Sequence, residues 1–577
     1  MYSRSTVMTR AKARVRGWQP ACIGLLIVLL VVWIPAAPTQ AQQQPRRGGT
    51  LNYIVSALPP SFDAHRETTF AMLHPILPHY NMLVKFDTRN FPKVIPDLAE
   101  SWSASRDGMT YTFKIRQGVK FHDGAVLTSR DIKASFDKII FPKEGVISVR
   151  QPIYQMVKSI EAPDPQTVVF RLKWAAPGFV EKLASPFNWI YKAEIIERDP
   201  HWYERNVMGT GPFRFVEYVR GSRWVGRRND DYFERGKPYL DGYQALFISS
   251  RSAMIAALKS GQALIEFRGV SPAERDDLVR TLGDRIQVQE QPWQCNLIVA
   301  YNTKKKPFDD PRVRRALSMA VDRWGGSRAL SQIALVGPVG GMMRPGSAFS
   351  LPESELVKLP AYSRDMQRAR TEARNLLREA GVPEGFTYTL KNRDIQMPYE
   401  PVGVYVVDQW RQIGLIVQHF QQETAKYLAD LRALNYDASV DFACDFIDDP
   451  DVQLSKFVSS DVNPANYGGY IDRQLDLMFF QQSRTADKAT RVKVVHQFEK
   501  RLLVDQAYVM YVLWWQRIIP HWRRLQGYKT TTNHYVEPDM AEYWLSESGI
   551  CTSAAVGSGL ARRPPPRPAP PSRRRES

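Results

Sequence analysis

Alternating and helical patterns of hydrophobic residues follow each other along most of the chain. Residues 111–115 alternate in character, which predicts a half-buried β-strand. Shortly afterwards, Thr128 or Ser129 caps a predicted helix, because a side-chain hydroxyl accepts hydrogen bonds from the first free backbone N–H groups. The apolar positions of this helix fall on one face: Ile132, Phe136, Ile139 and Ile140. A strand followed by an amphipathic helix is typical of an α/β unit.

Two further helices are predicted in the second half of the chain. Asp310 and Pro311 form a helix start, with a capping carboxylate followed by proline at the first helical position. Residues 370–380 form another helix, which Gly381 and Pro383 end. No self-similar period is visible, which argues against solenoids and propellers. The interspersed strand and helix signals therefore predict an α/β fold.

Both ends of the chain differ in composition from its body. The first 16 residues carry five basic and no acidic side chains, 23–34 is an apolar run, and small residues lead to Ala41. These features predict a secretory signal peptide, 1–41, because the run is shorter than the roughly 17 residues that span a bilayer. Cys22 precedes the run, which argues against lipoprotein-type modification. The Pro/Arg-rich tail, 553–577, is expected to be disordered.

Length and charge limit the classes of protein to which the chain can belong. A chain of 577 residues exceeds one compact core, so at least two lobes are expected. The net charge of +19 is concentrated at the ends, with +5 in 1–41 and +5 in 553–577, so the long body carries only +9. Its basic residues are mixed with acidic ones and form no aromatic-plus-basic stripe, which argues against nucleic-acid binding.

The chain shows no recognisable catalytic set. It has no GxSxG, HExxH or GxxxxGK[ST] motif, so neither an enzyme nor a cofactor is expected. After the predicted cleavage three cysteines remain, Cys295, Cys444 and Cys551, and none has metal-ligand spacing. We interpret each of the three as a buried small apolar residue or a bystander. His74 and His79 are assigned packing or loop roles.

A set of short motifs occurs in a specific order along residues 48–546. The chain resembles the family 5 extracellular solute-binding proteins, the dipeptide and oligopeptide receptors of ABC importers. Seven stretches carry this resemblance: 95–102, 107–113, 120–124, 209–213, 301–303, 307–317 and 373–381. Any one of them is weak, whereas the ordered set is specific.

The resemblance implies a periplasmic-binding-protein-like α/β fold with two lobes, mixed sheets and an extra domain on the first lobe. The implied divisions are a first lobe in three parts (46–82, 209–290 and 526–546), a second domain packed on it (83–208) and an opposite lobe (291–525). Two crossover strands between the lobes would act as a hinge that closes over the ligand.

The resemblance also implies a ligand site. In residues 436–451 a predicted strand ends in Asp445, the position expected to pair with the α-ammonium group of a peptide, while the backbone of Phe442, Ala443 and Cys444 pairs with the ligand in a strand-like manner. Thr69 and Phe70 are expected to line the pocket from the first lobe. The family often has Gly-Trp where this chain has Asp441-Phe442. Four further carboxylates are expected to be solvated or turn-capping: Asp441, Asp448, Asp449 and Asp451.

The implied function is that of a periplasmic receptor, a monomer that delivers a di- or oligopeptide to the permease subunits of an ABC importer and catalyses nothing. Several alternatives remain open. The ligand could be a nickel complex, haem, glutathione or an oligosaccharide, and the Arg/Pro tail could instead serve surface adhesion. A divalent cation held by the acidic cluster from Asp445 to Asp451 would favour a metallohydrolase, although the cluster lacks the glycine and terminal glutamate of an EF-hand loop.

Overall fold

The computed structural model describes residues 44–331 and 339–546, and the described residues from Pro45 onward belong to one compact unit. The strands are β1 (Thr50–Val55), β2 (Val84–Phe86), β3 (Val94–Pro96), β4 (Ala99–Ala104), β5 (Thr110–Ile115), β6 (Val157–Asp164), β7 (Thr167–Leu172), β8 (Phe213–Val219), β9 (Arg223–Arg228), β10 (Gly242–Phe247), β11 (Ile286–Tyr301), β12 (Thr387–Arg393), β13 (Ile416–Gln422), β14 (Ala438–Cys444), β15 (Val509–Trp522), β16 (Leu525–Gln526) and β17 (Trp544–Leu545). The helices are α1 (Phe70–Ile76), α2 (Ser129–Ile140), α3 (Phe179–Leu183), α4 (Ala193–Arg198), α5 (Arg251–Ser260), α6 (Pro272–Leu282), α7 (Pro311–Met319), α8 (Arg323–Leu330), α9 (Glu353–Leu356), α10 (Met366–Glu379), α11 (Tyr399–Arg411), α12 (Thr424–Arg432), α13 (Pro450–Leu454), α14 (Arg473–Arg484) and α15 (Lys488–Lys500).

Three larger sheets organise these elements. Sheet I has the order β1-β10-β9-β8, sheet II the order β4-β5-β7-β6, and sheet III the order β13-β12-β14-β11-β15. Sheets I and III are mixed: β1 pairs parallel with β10 and β12 parallel with β13, whereas β11 is antiparallel to both β14 and β15. Helices pack around these sheets, so the α/β prediction is confirmed.

The helix signals in the sequence are confirmed, with one shifted start. Thr128 and Asp131 form a capping box before α2, and Asp310 accepts a hydrogen bond from the backbone N–H of Arg312 at the start of α7. The helix predicted at 370–380 begins earlier, at Met366, because Asp365 caps it by accepting a bond from the N–H of Arg368. It ends at Glu379, before Gly381 takes a positive φ of 75°.

Long strands connect sheet III to the sheet I side of the molecule. β11 and β15 pair from Ile286↔Trp522 to Ala300↔Val509, with irregularities in the register. At its distal end β15 also contacts the segment after α5, where the N–H of Trp522 donates to the carbonyl of Leu264 at 3.0 Å. The chain that returns after β15 is fixed by a buried ion pair between Arg517 and Glu537. β11 and β15 therefore connect sheet III with the part of the chain around sheet I.

Several predictions fall outside the described residues. They are the signal peptide 1–41, Cys22, Cys551 and the tail 553–577. The domain boundaries inferred from the resemblance also stay a prediction. Among the helices in the described ranges, none combines the length and the apolar character needed to cross a membrane.

Candidate ligand-binding cleft

Three adjoining cavities form a cleft between sheet III and the chain segments around sheets I and II. The first, the Asp445 cavity, is lined by Asp445 and Arg150. It shares Phe442 and Cys444 with the second, the Arg393 cavity. The third, the Glu266 cavity, shares Arg268, Trp293, Pro398 and Trp515 with the second. The three cavities therefore adjoin one another through shared walls.

Asp445 lies directly after β14, half-buried at the wall of its cavity. Its backbone is fixed by the side-chain amide of Asn533, which donates to the Asp445 carbonyl, but its carboxylate has no hydrogen-bond or ion-pair partner among the described residues. Burial raises the pKa of Asp445 to about 7, while the positive charges of Lys456 and Arg150 lower it. A carboxylate in this position is suited to receive a cationic group of a ligand.

The edge of β14 that faces β12 is only partly covered by a neighbouring strand. β12 pairs with β14 at Leu390↔Ala438 and Lys391↔Ser439, and its ladder does not extend to Phe442, Ala443 or Cys444. The carbonyl of Phe442 accepts a hydrogen bond from Lys456 Nζ. A ligand that pairs with this edge as a strand would therefore meet one carbonyl that is already occupied.

The structure corrects the interpretation of two cysteines. Cys295 and Cys444 form a disulfide, so they are neither bystanders nor simple apolar residues. They lie 149 positions apart, but the antiparallel register of β11 and β14 places them directly opposite each other with a Cα–Cα distance of 4.2 Å. The disulfide lies in the wall of the Arg393 cavity, where it joins the central strand of sheet III, β14, to its neighbour β11.

The expectation that four acidic residues are solvated or turn-capping is wrong for two of them. Asp441 and Asp451 are each 1% exposed. Asp441 pairs with Lys456 at 2.7 Å. Asp449 does cap α13, because it accepts a bond from the N–H of Asp451, and the half-buried Asp448 pairs with Arg344. Each of these four carboxylates is matched by a nearby cation, and the described residues contain no cluster arranged to hold a metal ion.

An ion-pair network crosses the cleft. Lys182, on α3 beside sheet II, lies 3.4 Å from Asp449 and 3.2 Å from Asp451. Arg491, on α15 beside sheet III, lies 3.4 Å and 3.7 Å from the same two carboxylates. A second pair, Arg432 with Glu67, also connects the two sides, at 2.8 Å. These contacts connect the two sides of the cleft in the arrangement that the structure shows.

Thr69 and Phe70 line the Arg393 cavity from the opposite side to sheet III. Thr69 caps α1 and also accepts a hydrogen bond from Arg393 Nη2 at 3.2 Å. The ring of Phe70 lies under the guanidinium of Arg268, 4.1 Å from its centroid. The structure thus brings together the six residues named from the resemblance, four on the β14 side and two on the α1 side.

Three arginines in the cleft were missed by sequence reasoning: Arg150, Arg268 and Arg393. They are 4%, 8% and 1% exposed. Arg150 donates to the carbonyls of Ala64 and Glu67 at 2.7 and 2.8 Å. Arg150 and Arg268 follow stretches rich in apolar residues and Arg393 follows two polar residues, and surface arginines occur in the same local contexts.

Two histidines have the packing roles expected from the sequence. His74 and His79 are fully buried, and burial lowers the pKa of each. His74 contacts the carbonyl of His534, and His79 lies between the Phe213 carbonyl and the Trp224 indole. Both histidines stay neutral in the core.

The fold and cleft define a two-lobed solute-binding protein of the periplasmic type. The chain belongs to the bacterial extracellular solute-binding proteins, family 5, whose family model (the "Middle" region) matches residues 93–464. The chain is 28% identical over 461 residues to di/tripeptide-binding protein 1 of Pseudomonas aeruginosa (76% of this chain, 81% of that protein). It is 26% identical over 465 residues to glutathione-binding protein GsiB of Pectobacterium atrosepticum (78% and 84%). The structure of the A. tumefaciens R10 binding protein AgaA with agropinic acid aligns with a TM-score of 0.75 and 25% identity, covering 86% of this chain and 99% of that one.

Proposed function

We propose that this protein is a receptor that captures a short peptide, a di- or oligopeptide, and delivers it to the permease subunits of an ABC importer. The observation that carries the proposal is the Asp445 carboxylate, which faces a cavity without a partner in the described part of the chain. A peptide α-ammonium would supply that partner. Membership of the family and the di/tripeptide-binding relative support the same assignment.

The proposed ligand contacts follow the geometry of the cleft. Asp445 pairs with the ammonium group, while the backbone of Phe442, Ala443 and Cys444 at the uncovered part of the β14 edge pairs with the peptide backbone. Thr69 and Phe70 close the site from the other side. In this proposal the protein catalyses nothing, holds no cofactor and acts as a monomer.

The proposed location is the periplasm. The basic, apolar and small-residue segments of 1–41 support export with cleavage after Ala41, and the family is an extracellular one. N-terminal sequencing of the exported protein that finds Met1 retained would contradict cleavage.

The proposed domain division follows the resemblance to the family. In this proposal the first lobe (46–82, 209–290 and 526–546) carries the second domain (83–208) and faces the opposite lobe (291–525).

Glutathione is the second candidate ligand, because a 26% identical relative is named for it and because it also carries an α-ammonium group. Mass spectrometry of the solute that co-purifies with protein isolated from the periplasm distinguishes the candidates. A peptide supports the first proposal and glutathione the second. A sugar, haem or a nickel complex would contradict the role of Asp445, since its carboxylate would then lack an ammonium partner.

Peptide binding is expected to have a bell-shaped pH dependence with a maximum between about pH 7 and 8. Burial raises the pKa of Asp445 to about 7, although the positive charges of Lys456 and Arg150 lower it. Below pH 7 the side chain is therefore mostly protonated and uncharged. Affinity should thus fall about tenfold for each pH unit below 7, and fall again above about 8, where a peptide α-ammonium loses its proton. Calorimetry with a dipeptide from pH 5 to 9 measures this profile. An acid limb that persists in Asp445→Asn would assign the titration to another group.

A further inference from the structure

Two buried arginines face the same cavity without an acidic partner. Arg268 and Arg393 both line the Arg393 cavity, and neither forms an ion pair with a carboxylate in the described ranges. Their guanidinium carbons lie 4.1 and 5.5 Å from the centroid of the Phe70 ring and 6.0 and 5.1 Å from that of Tyr399. Two cations that share one small apolar-walled space repel each other unless an anion lies between them.

The guanidinium groups of these two arginines hydrogen-bond only to uncharged acceptors. That of Arg393 donates to the hydroxyl groups of Thr69, Tyr399 and Thr424, at 3.1 to 3.4 Å. Arg268 makes two long bonds, at 3.5 Å to Ser56 and 3.3 Å to the Met397 carbonyl, and its buried Nε has no partner. A buried donor without an acceptor is costly, so a ligand acceptor placed at Arg268 Nε in this cavity would be stabilising.

Other buried arginines of the described chain are compensated differently. Arg517 is held by Glu537 through two bonds of 2.6 and 2.7 Å. Arg314 and Arg323 have no carboxylate but direct their guanidinium groups mainly at backbone carbonyl oxygens. Arg268 and Arg393 differ from these three arginines in having no paired carboxylate and at most one backbone carbonyl as acceptor for the guanidinium group.

The charges that line the cleft leave one net positive charge. Arg150, Arg268 and Arg393 face only two carboxylates, Asp445 and Glu266. Glu266 directs Oε2 at the backbone N–H groups of residues 268 and 269 and not at a guanidinium. Lys456 and Arg251 also line the cleft, but each already has its own carboxylate partner. Lys456 pairs with Asp441, and Arg251 pairs with Glu274. A bound solute with one net negative charge would neutralise the site.

We propose that the cleft binds a solute with one ammonium and two acidic groups, and that Arg268 and Arg393 together hold the acidic end. The binding of the ammonium group by Asp445 is taken from the proposed function, and this part of the inference depends on it. The ligand class is a short acidic peptide or an amino-acid conjugate with two carboxylates. A neutral dipeptide would leave the pair of arginines with an unmatched charge.

The test uses dipeptides that differ in one side-chain charge. Ala-Glu and Glu-Ala are titrated by calorimetry at pH 7.5 against Ala-Gln and Gln-Ala. Wild type is expected to bind the better acidic peptide about 30-fold or more tightly than its amide counterpart, because the second carboxylate is buried against a cation. In Arg268→Gln and Arg393→Gln this preference should fall to about threefold or less. The matched control is Arg411→Gln, whose side chain is 76% exposed, and it should keep the wild-type preference.

Further measurements separate the possible failures. If a glutamine variant fails to fold, Arg268→Lys and Arg393→Lys keep the charge and should retain most of the preference for the acidic peptide. Equal binding of acidic and amide peptides by wild type would overturn this inference and leave the peptide function standing. Equal binding of Ala-Glu and its N-acetylated form, with the acidic preference intact, would overturn the role of Asp445 and leave the arginine pair standing. Binding of none of these peptides would overturn both the peptide function and the assignment of an acidic peptide as the ligand.

Discussion

Asp445→Asn is expected to weaken binding of a free dipeptide by roughly two to three orders of magnitude. The substitution keeps the shape of the side chain but removes the counter-charge of a ligand ammonium group that loses its water inside the Asp445 cavity. Breaking a buried ion pair in this way costs about 3 to 5 kcal/mol. Calorimetry at pH 8 measures the loss, because the carboxylate, whose pKa is raised by burial to about 7, is then mostly ionised in wild type.

The N-acetylated peptide provides the complementary measurement. Acetylation removes the ammonium group, so it should cripple binding to wild type and add little to the loss in Asp445→Asn. Asp461→Asn is the matched control, since Asp461 is an exposed carboxylate paired with Arg473 and should change affinity by less than a few-fold. Asp451 is unsuitable as a control because it is buried and ion-paired. Normal binding of the free peptide by Asp445→Asn would move the ammonium site elsewhere.

Lys182→Met is expected to favour the open state of the protein and to weaken peptide binding by two orders of magnitude or more. Lys182 is fully buried where α3 meets the Asp449 and Asp451 carboxylates from the other side of the cleft. Without it, closure would bury two carboxylates against the single cation of Arg491, which costs about 3 to 5 kcal/mol. X-ray scattering with a saturating dipeptide should show less compaction than in wild type, and calorimetry gives the affinity.

The control for this substitution is Lys305→Met. Lys305 forms an ion pair with Asp437, but its side chain is 57% exposed, so its loss should cost no more than about 1 kcal/mol. Identical scattering curves and affinities for Lys182→Met and wild type would show that the network does not contribute to closure. A lower melting temperature of Lys182→Met than of wild type, measured without ligand, would instead show that the substitution lowers the free energy of unfolding.

The sequence by itself determined the local elements and the family. Caps and breakers act within a few residues, which is why Thr128 with Asp131, Asp310 before Pro311, and Gly381 marked helix ends that the structure confirms within a few positions. The position of Asp445 after a strand followed from the same short-range pattern. The motifs of the family lie in contiguous stretches, so they too could be read without the fold.

Only the tertiary structure decided how distant segments complete the cleft. The Cys295–Cys444 disulfide depends on the register between β11 and β14, which strand pairing sets and local pattern does not. Asp451 looked like a turn carboxylate, but its burial depends on Lys182 and Arg491, which lie far from it along the chain. Arg268 and Arg393 come from segments over a hundred residues apart, and whether an arginine is solvated or buried depends on what packs against it. The chemistry of the cleft therefore arises from long-range contacts between residues whose local sequence gives little indication of them.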